Sequence, residues 1–358
     1  MRCGGDGAML ITNQFLLFGK FYTFWFLAEH KMSDNTVTPS SSLFDLTSIT
    51  SSPISSDKKI ISNSKEVLEK KYDVIKSSGV TLSGSITYRN DMPLEGPIVV
   101  YVHGTLSCWN HNFTSDLAHK LSKDLGLRSY RYDGRFDSNE FEPTHRYKFS
   151  GFSDDIDDME CVVSSLKRDG FNIWCLLGHS RGANDVLLYS YKFCKPSTSA
   201  HLAEEQTVFQ GSELDSDKIA IVAIAPRFDM TKMPSALFSP EQLEQVERIG
   251  KSTWHSQRGD LVVTVDDVHV VTNEMNMEEV VTSIPQQIPI LVLHGTDDEL
   301  IQTTDAYAYK AARESIDLNI IEGARHAFRG KKQNKILLNT VTAWLGKSIS
   351  KFGSTSEC

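Results

Sequence analysis

The sequence has few cysteines, and none of them stands in a metal-binding or redox spacing. Its 358 residues include six cysteines without a Cys-x-x-Cys pair, and no His-Glu-x-x-His pattern occurs. Structural zinc sites and metalloprotease centres need such spacings, so we expect neither a metal nor any other cofactor. The absence of a disulfide framework is typical of a reducing compartment, and we therefore expect a cytoplasmic protein.

Clustered positive charge is absent as well. The chain has 37 Lys and Arg residues against 46 Asp and Glu residues, a formal net charge of -9 at pH 7. Binding to nucleic acid relies on clustered basic residues, so nucleic acid is excluded as the expected partner. With 40% hydrophobic and 23% charged residues, the composition is that of an ordinary globular protein. Its length fits one large α/β domain or two small ones.

Long uninterrupted apolar runs are also missing. Residues 8–28 come closest, but Asn13, Gln14 and Lys20 interrupt them, and neither a basic n-region nor a small-residue cleavage site is evident. We therefore expect no stable membrane insertion. A weak targeting segment or a signal anchor is the alternative interpretation of this stretch.

The first 64 residues predict a lead-in rather than part of the folded domain. Residues 33–64 are rich in Ser, Thr, Asp and Pro and have little periodicity, which is typical of disorder. This polar segment follows Met32 directly. A further interpretation is therefore that Met32 is the translation start and that residues 1–31 lie upstream of it.

We expect residues 65–350 to form one domain, followed by a tail at residues 351–358. The segments KKYDVIKSS and TLSGSITYR predict an antiparallel pair of strands with a turn at Gly79. Continuous apolar runs, typical of strands buried on both faces, then alternate with amphipathic helices. This alternation predicts an α/β fold with a mostly parallel, doubly wound sheet. The predicted strands are IVVYV (98–102), LRSYRY, IWCLLG, KIAIVAIAP (218–226), IPILVLHG (288–295) and LNIIEGA (318–324), of which IVVYV and IWCLLG are expected to be buried.

Two segments interrupt the alternation. Residues 195–217 are polar and predict a surface excursion. Residues 227–286 are too long for a simple crossover, and SPEQLEQVERIGKSTWH within them predicts a helix. We interpret them as a short helical lid, inserted before the penultimate strand at the edge of the sheet where ligands bind. Its apolar side chains face either a substrate or the lid's own small core: Met230, Met233, Phe238, Leu243 and Trp254.

The motif GHSRG (178–182) carries the first chemical signal. Ser180 stands between two glycines where a strand passes into a helix, which fits either a nucleophile or a tight turn. Two further motifs follow later strands: VLHGTDDEL contains Asp297 and Asp298, and EGARHAFRG contains His326. Ser180, Asp298 and His326 thus occur in the order of nucleophile, acid and base, each directly after a predicted strand.

With these motifs, and with HGT (103–105) after the first parallel strand, residues 70–350 resemble the α/β-hydrolase superfamily of serine hydrolases. More narrowly, they are similar to the cinnamoyl esterase, monoacylglycerol lipase and serine aminopeptidase group. The resemblance implies Ser180 as nucleophile, Asp298 as acid and His326 as base, with Asp297 as the alternative acid. It also implies an oxyanion hole formed by the backbone amides of Thr105 and Arg181.

Two tryptophans are candidates for substrate binding. Trp109 follows the expected oxyanion loop, where ordinary packing is the equal alternative, and Trp254 lies in the expected lid. The loop RYDGRFDS (131–138) departs from the D-x-R-G-x-G-x-S pattern of the relatives. Arg131 and Asp133 stand in exchanged positions and Phe136 replaces a glycine. This loop borders the expected site, so the resemblance does not determine the substrate.

The expected activity is hydrolysis of a small-molecule carboxylic ester through an acyl-enzyme intermediate. A peptidase or amidase using the same triad is the alternative, and a noncatalytic ligand-binding protein of this fold is a third hypothesis. A serine at position 180 argues against epoxide or haloalkane hydrolysis, which would need an aspartate there, and against dienelactone-type chemistry, which would need a cysteine.

Overall fold

A computed structural model of the protein describes residues 65–111, 113–134, 149–194, 213–256 and 259–353. These ranges all belong to one compact unit, Ile61–Cys358. The predictions for residues 1–64, for Phe136 and for most of the segment 195–217 lie outside the described residues. Within the described ranges, no helix is both long enough and apolar enough to span a membrane.

The predicted strands form one central sheet, and a small hairpin at Gly79 lies between its first two strands in the chain. The strands are β1 (Val67–Lys71), β2 (Val74–Ile75), β3 (Thr81–Leu82), β4 (Gly84–Arg89), β5 (Gly96–Val102), β6 (Arg128–Tyr132), β7 (Phe171–His179), β8 (Ala220–Ile224), β9 (Lys251–Ser256), β10 (Gly259–Thr264), β11 (Ile290–Gly295) and β12 (Asp317–Ile321).

The order of the strands explains where a site can form. In the described residues the central sheet has eight strands in the order β1-β4-β6-β5-β7-β8-β11-β12. Strand β4 is antiparallel to both of its neighbours, whereas β6, β5, β7, β8, β11 and β12 run parallel to one another. The loops that follow the parallel strands therefore meet at one edge of the sheet, which is the usual ligand-binding edge of such folds.

Both faces of this sheet are covered by helices. These are α1 (Thr114–Leu125), α2 (Phe152–Arg168), α3 (Arg181–Phe193), α4 (Met233–Leu237), α5 (Pro240–Ile249), α6 (Val265–His269), α7 (Met277–Ser283), α8 (Thr303–Ala312) and α9 (Lys331–Gly353). On β5, Val99 and Tyr101 pack with apolar residues of α1 and α9, whereas Val100 packs on the opposite face with residues of α2, α3 and α8. Burial on both faces explains why the central strands β5, β7, β8 and β11 are mostly apolar runs.

Two helix ends lie outside the predicted bounds. The closing helix α9 runs to Gly353 and so crosses the expected boundary at residue 350. The helix predicted for SPEQLEQVERIGKSTWH is wrong beyond Ile249, because Gly250 adopts a left-handed φ of 84° and ends α5. The residues that follow form β9, which pairs antiparallel with β10.

The insertion before the penultimate strand is therefore a mixed element. Besides α4, α5, α6 and α7 it contains a 3₁₀ turn (Met230–Lys232), the β9–β10 hairpin and a short π-helix (Val270–Glu274). Leu261 and Val263 of β10 are fully buried. Burial of these two side chains gives the hairpin an apolar face. The helix predicted from the sequence extended past Trp254 and therefore did not include this hairpin.

A buried arginine joins this insertion to the sheet. Arg313, directly after α8, is 3% exposed and donates hydrogen bonds to five backbone carbonyls between the end of α7 and the start of β11. The acceptors are Val281, Ile284, Pro285, Gln286 and Ile288, at 2.7–3.3 Å. Burial lowers the pKa of Arg313, but a guanidinium retains its charge in proteins.

Replacing Arg313 with glutamine should destabilise the fold, because several buried carbonyls would lose their donor. We expect the free energy of unfolding, measured with urea, to fall by about 3 kcal/mol. The matched control is Arg325→Gln, which removes an exposed ion pair with Glu299 and should cost less than about 1 kcal/mol. Equal losses in the two variants would contradict the assigned role of Arg313.

Candidate active site

Ser180 occupies a strained position between β7 and α3. It has a φ of 57° and a ψ of -123°, a conformation that residues other than glycine rarely adopt and that costs about 1–3 kcal/mol. Its backbone N–H donates to the carbonyl of Ile224 on β8 at 2.8 Å, which ties the turn to the neighbouring strand. The residue is partly exposed. This geometry fits a presented hydroxyl, as predicted for the motif.

The two flanking glycines are required by close backbone contacts. A Cβ atom on Gly178 would lie 2.0 Å from the carbonyl oxygen of Gly182. A Cβ atom on Gly182 would lie 2.3 Å from the carbonyl oxygen of Val102 on β5. Neither neighbour is a flexible side chain, so no larger residue fits without moving the backbone. Helix α3 is thereby held directly against β5 and β7.

His326 and Asp298 form a buried pair at the same edge of the sheet. The Nδ1 atom of His326 lies 2.8 Å and 3.0 Å from the two carboxylate oxygens of Asp298. Asp298 also accepts hydrogen bonds from the backbone N–H groups of Leu300 and Ile301, each at 2.9 Å. The His326 ring is thus oriented through Nδ1, which leaves Nε2 for other chemistry.

The charge of Asp298 is stabilised in spite of its burial. Burial alone raises the pKa of this carboxyl, but hydrogen bonds from His294 and His326, the charge of His326 and the N–H of Ile301 together hold the pKa below its usual range. Asp297, the alternative acid, is exposed and accepts a hydrogen bond from the hydroxyl of its neighbour Thr296 at 2.9 Å. The geometry therefore favours Asp298 as the partner of His326.

Two further histidines support the pair. His294 is completely buried, and its Nε2 atom lies 2.9 Å from the carbonyl oxygen of Ile301 and 3.4 Å from the Asp298 carboxylate. His179, the residue before Ser180, donates from Nε2 to the carbonyl of His326 at 2.9 Å. Burial lowers the pKa of His179 to about 3, so this imidazole is neutral. Sequence reasoning missed His179, for which adjacency to Ser180 was the available signal.

Ser180 and His326 face a common cavity of about 240 Å³. Thr105 and Arg181, the predicted oxyanion residues, also line it. Gly104 approaches so closely that a Cβ atom there would lie 2.9 Å from the Cβ of Ser180. The loop after β5 and the start of α3 therefore meet beside the serine hydroxyl. In the described residues, no group of three or more His, Cys, Asp and Glu residues has the geometry of a metal site.

The lid supplies an apolar part of the cavity wall. Its lining side chains include Met230, Met233, Leu237 and Trp254, of which Trp254 is a predicted substrate contact. Phe238 instead packs edge-on against Phe149, with ring centroids 5.5 Å apart. The lid residues thus divide between the cavity and the lid's own packing.

Trp109 lies outside the lining of this cavity. Its ring lies 5.0 Å from the guanidinium carbon of Arg131, and its backbone N–H donates to Asp133 at 2.7 Å. These contacts correspond to the packing alternative for Trp109. The same Asp133 oxygen lies 3.8 Å from Nε2 of His103, so this carboxylate links β6 to the loop that carries Thr105.

Arg131 and Asp133, the two exchanged residues of the 131–138 loop, make contacts in different parts of the structure. Arg131 is 1% exposed and donates to the hydroxyls of Ser115 at 2.6 Å and Thr87 at 3.0 Å, and to the carboxylate of Glu69. Asp133 holds the loop after β5. Residues 135–138 of this loop lie outside the described part of the chain.

Comparison with known proteins identifies similar folds but no close relative. No family model matches the chain, and no curated protein matches it at a significant level. Among solved structures, it is similar to an esterase domain of a Rhodothermus marinus protein, with 16% identity over 78% of this chain and 98% of that one, and a TM-score of 0.53. Mouse alpha/beta hydrolase domain-containing protein 10 matches with 16% identity, 78% and 99% coverage, and a TM-score of 0.52.

A peptidase has a similar fold. The puromycin-hydrolysing peptidase of Mycobacterium tuberculosis matches 81% of this chain and 41% of its own, with 14% identity and a TM-score of 0.56. At such identities the likeness concerns the fold and not the reaction. The residues at the sheet edge therefore have to carry any conclusion about activity.

Substituting alanine for Gly182 should disturb the turn at Ser180, because the added methyl group meets the carbonyl of Val102. We expect the free energy of unfolding to fall by about 3 kcal/mol or more. The matched control is Gly346→Ala in α9, where a Cβ atom meets only the flexible Cδ2 of Leu125 at 3.3 Å and helix propensity improves. Urea unfolding curves measure both, and similar stabilities in the two variants would contradict the close-contact argument.

Asp298 should contribute stability that depends on pH. Because its folded pKa lies below the unfolded value of about 3.9, the contribution is fully present above about pH 5 and is lost as the pH falls towards the folded pKa. We expect Asp298→Asn to lower the free energy of unfolding by about 2 kcal/mol at pH 7, and its difference from the wild type to shrink between about pH 5 and pH 3.

Urea unfolding at a series of pH values measures this difference. The control is Asp297→Asn, which removes an exposed carboxylate one residue away and should change stability by less than about 0.5 kcal/mol. A difference between Asp298→Asn and the wild type that stays constant or grows as the pH falls would disprove the linkage.

Proposed function

We propose that this chain, which has the α/β-hydrolase fold, is a serine hydrolase that cleaves a carboxylic ester through an acyl-enzyme intermediate. The fold was predicted from the sequence, and the strand order and the solved structures confirm it. One observation supports the activity above all others: Ser180 is held at a positive φ beside a cavity that His326, oriented by Asp298, also faces.

His326 would act as the base and then as the acid. A serine hydroxyl is a weak nucleophile at neutral pH, so the Nε2 atom of His326 takes its proton as Oγ of Ser180 attacks the ester carbonyl. Asp298 stabilises the resulting imidazolium without itself being protonated. His326 then returns the proton to the leaving alcohol as the C–O bond breaks. A water molecule releases the acid from Ser180 by the same steps.

The oxyanion would form between two backbone amides. Arg181 is the first residue of α3, and the positive end of a helix dipole favours negative charge at that point. Thr105 belongs to the loop that the close approach of Gly104 brings up to Ser180. In enzymes of this chemistry, one oxyanion donor contributes about 3 kcal/mol to transition-state stabilisation. We therefore assign the N–H groups of Thr105 and Arg181 to the oxyanion hole.

The cavity is compatible with a small-molecule ester of moderate size. Apolar lid side chains on one wall, Trp254 among them, would contact the non-reacting part of the substrate. An amide substrate would use the same residues. The two reactions differ in the leaving group, because an amine leaves less readily than an alcohol. The cytoplasmic location remains a prediction.

A fluorophosphonate probe tests the nucleophile. We expect the wild type to be labelled and Ser180→Ala to lose both labelling and ester turnover, with kcat reduced at least about 10⁴-fold, because the proposed acyl-enzyme forms on Oγ of Ser180. The matched control is Ser107→Ala: this serine also faces the cavity, and its hydroxyl lies 3.3 Å from Nδ1 of His111, a second Ser–His contact. The control should remain labelled.

If labelling persists in Ser180→Ala and disappears in Ser107→Ala, the nucleophile is Ser107 and the assignment of Ser180 is wrong. A panel of p-nitrophenyl esters and aminoacyl p-nitroanilides then separates the reaction classes. Faster turnover of the anilides would replace the proposed esterase by a peptidase or amidase. If the wild type neither reacts with the probe nor hydrolyses any member of the panel, the proposed hydrolase function is wrong.

A further inference from the structure

The catalytic cavity contains a second buried cation besides the paired Arg181. Arg227 follows β8, lines the cavity, and is 7% exposed. Its guanidinium donates one hydrogen bond within the described residues, from Nη2 to the carbonyl of Leu300 at 2.8 Å. No carboxylate of the described residues lies within 4.0 Å of it, the limit for an ion pair. The other arginine of the cavity, Arg181, is by contrast bonded to Asp155 at 2.7 Å.

The backbone of Arg227 is held firmly in place. Its N–H donates to Oδ1 of Asn184 at 3.0 Å. Its carbonyl accepts from Nδ2 of Asn184 at 2.6 Å and from the hydroxyl of Tyr309 at 2.8 Å. Asn184 and Tyr309 are themselves fully or nearly fully buried. These bonds fix where the side chain starts, and none of them uses the guanidinium.

The carboxylates nearest to Arg227 are occupied elsewhere. Asp305 accepts from the N–H of Phe228 at 3.0 Å, and Asp298 is paired with His326. Asp229 accepts from the N–H of Thr231 at 3.2 Å and lies 3.1 Å from Nζ of Lys232. Burial lowers the pKa of Arg227 while the charges of Asp305, Asp298 and Asp229 oppose that effect. A guanidinium so placed remains charged.

The rest of the cavity wall offers this charge no counterpart. Among the described residues that line the cavity there is no Asp or Glu, although the whole chain has a net charge of -9. The lining instead includes the histidines His111, His179 and His326. A buried charge without a paired partner is costly, and an anion arriving with the substrate would supply the missing partner.

We propose that Arg227 determines specificity by binding a carboxylate carried by the ester substrate, so that the enzyme prefers esters with a second, ionised carboxyl group. The inference rests on the proposed hydrolase function and names its substrate class. The planar fork of a guanidinium matches a carboxylate with two parallel hydrogen bonds. The carboxylate can belong to the acyl part or to the alcohol part of the ester, and the experiment treats these as separate arms.

Matched ester pairs test the preference. The acyl arm compares monomethyl adipate with methyl hexanoate, in which a methyl group replaces the carboxylate. The alcohol arm compares 6-acetoxyhexanoate with hexyl acetate in the same way. Hydrolysis is followed by base uptake at constant pH. We expect a higher kcat/KM for the anionic member of at least one pair. We expect this preference to fall about 10- to 100-fold in Arg227→Gln, mainly through KM, because one charged contact is lost.

Two further variants identify the cause. Arg227→Lys keeps a cation and should retain part of the preference. Arg329→Gln is the matched control, because Arg329 is exposed and its Nη2 atom lies 3.1 Å from Nε2 of His111 at the same cavity. It removes the same charge from the neighbourhood and should change the preference less than about twofold, since an exposed charge is screened. A loss in Arg329→Gln equal to that in Arg227→Gln would assign the preference to the general field and overturn the inference.

The outcomes distinguish the inference from the function on which it rests. Equal kcat/KM within both pairs, or an unchanged preference in Arg227→Gln, would disprove the proposed role of Arg227. The proposed hydrolase function would not be affected by either result. If the methyl and acetyl esters turn over too slowly, protection of Ser180 from the fluorophosphonate by each member of a pair gives the same comparison. A wild type without labelling and without turnover would overturn the function and the inference together.

Discussion

The contact between the backbones at Gly178 and Gly182 is the constraint on which the site depends. Each glycine has a carbonyl oxygen where a Cβ atom would otherwise be, so α3 starts in direct contact with β5 and β7. Ser180 stands between these two glycines with a positive φ of 57°, directly before the first residue of α3. The strain in one residue is thus balanced by the packing of a helix and two strands.

The parallel strands bring the remaining groups to the same edge from distant parts of the chain. The loops after β5, β8, β11 and β12 contribute Thr105, Arg227, Asp298 and His326 respectively. The two buried charges among them are treated differently. Asp298 receives hydrogen bonds from backbone N–H groups and from His326, whereas the guanidinium of Arg227 donates one hydrogen bond, to the carbonyl of Leu300. The first arrangement orients the ring of His326, and the second leaves the guanidinium without a carboxylate within ion-pair distance among the described residues.

Much of the fold and of the candidate triad could be predicted from the sequence, because the signals are local. Short apolar, β-branched runs predict strands, and Ser180, Asp298 and His326 each stand shortly after such a run. The preference for Asp298 over Asp297 came from the resemblance. The structure supports it because Asp297 points to its neighbour Thr296.

What the sequence did not disclose depends on contacts between distant residues. Strand β9 is stabilised by pairing with β10, whose Leu261 and Val263 are buried, and neither contact is visible in the local sequence. The helix predicted from the sequence was therefore too long. For Trp109 and for Trp254 the sequence left both substrate contact and packing open. In the structure Trp109 lies against Arg131, and Trp254 lines the cavity.

The sequence by itself therefore determined the order of the strands and helices along the chain and the residue types at the strand ends, because both follow from local hydrophobic patterns. Only the tertiary structure decided which side chains face the cavity and which charges lack a partner. Arg227 is an unexceptional arginine after a strand in the sequence. It becomes a candidate for substrate recognition because Asn184 and Tyr309 hold its backbone while no carboxylate of the described residues lies within 4.0 Å of its guanidinium.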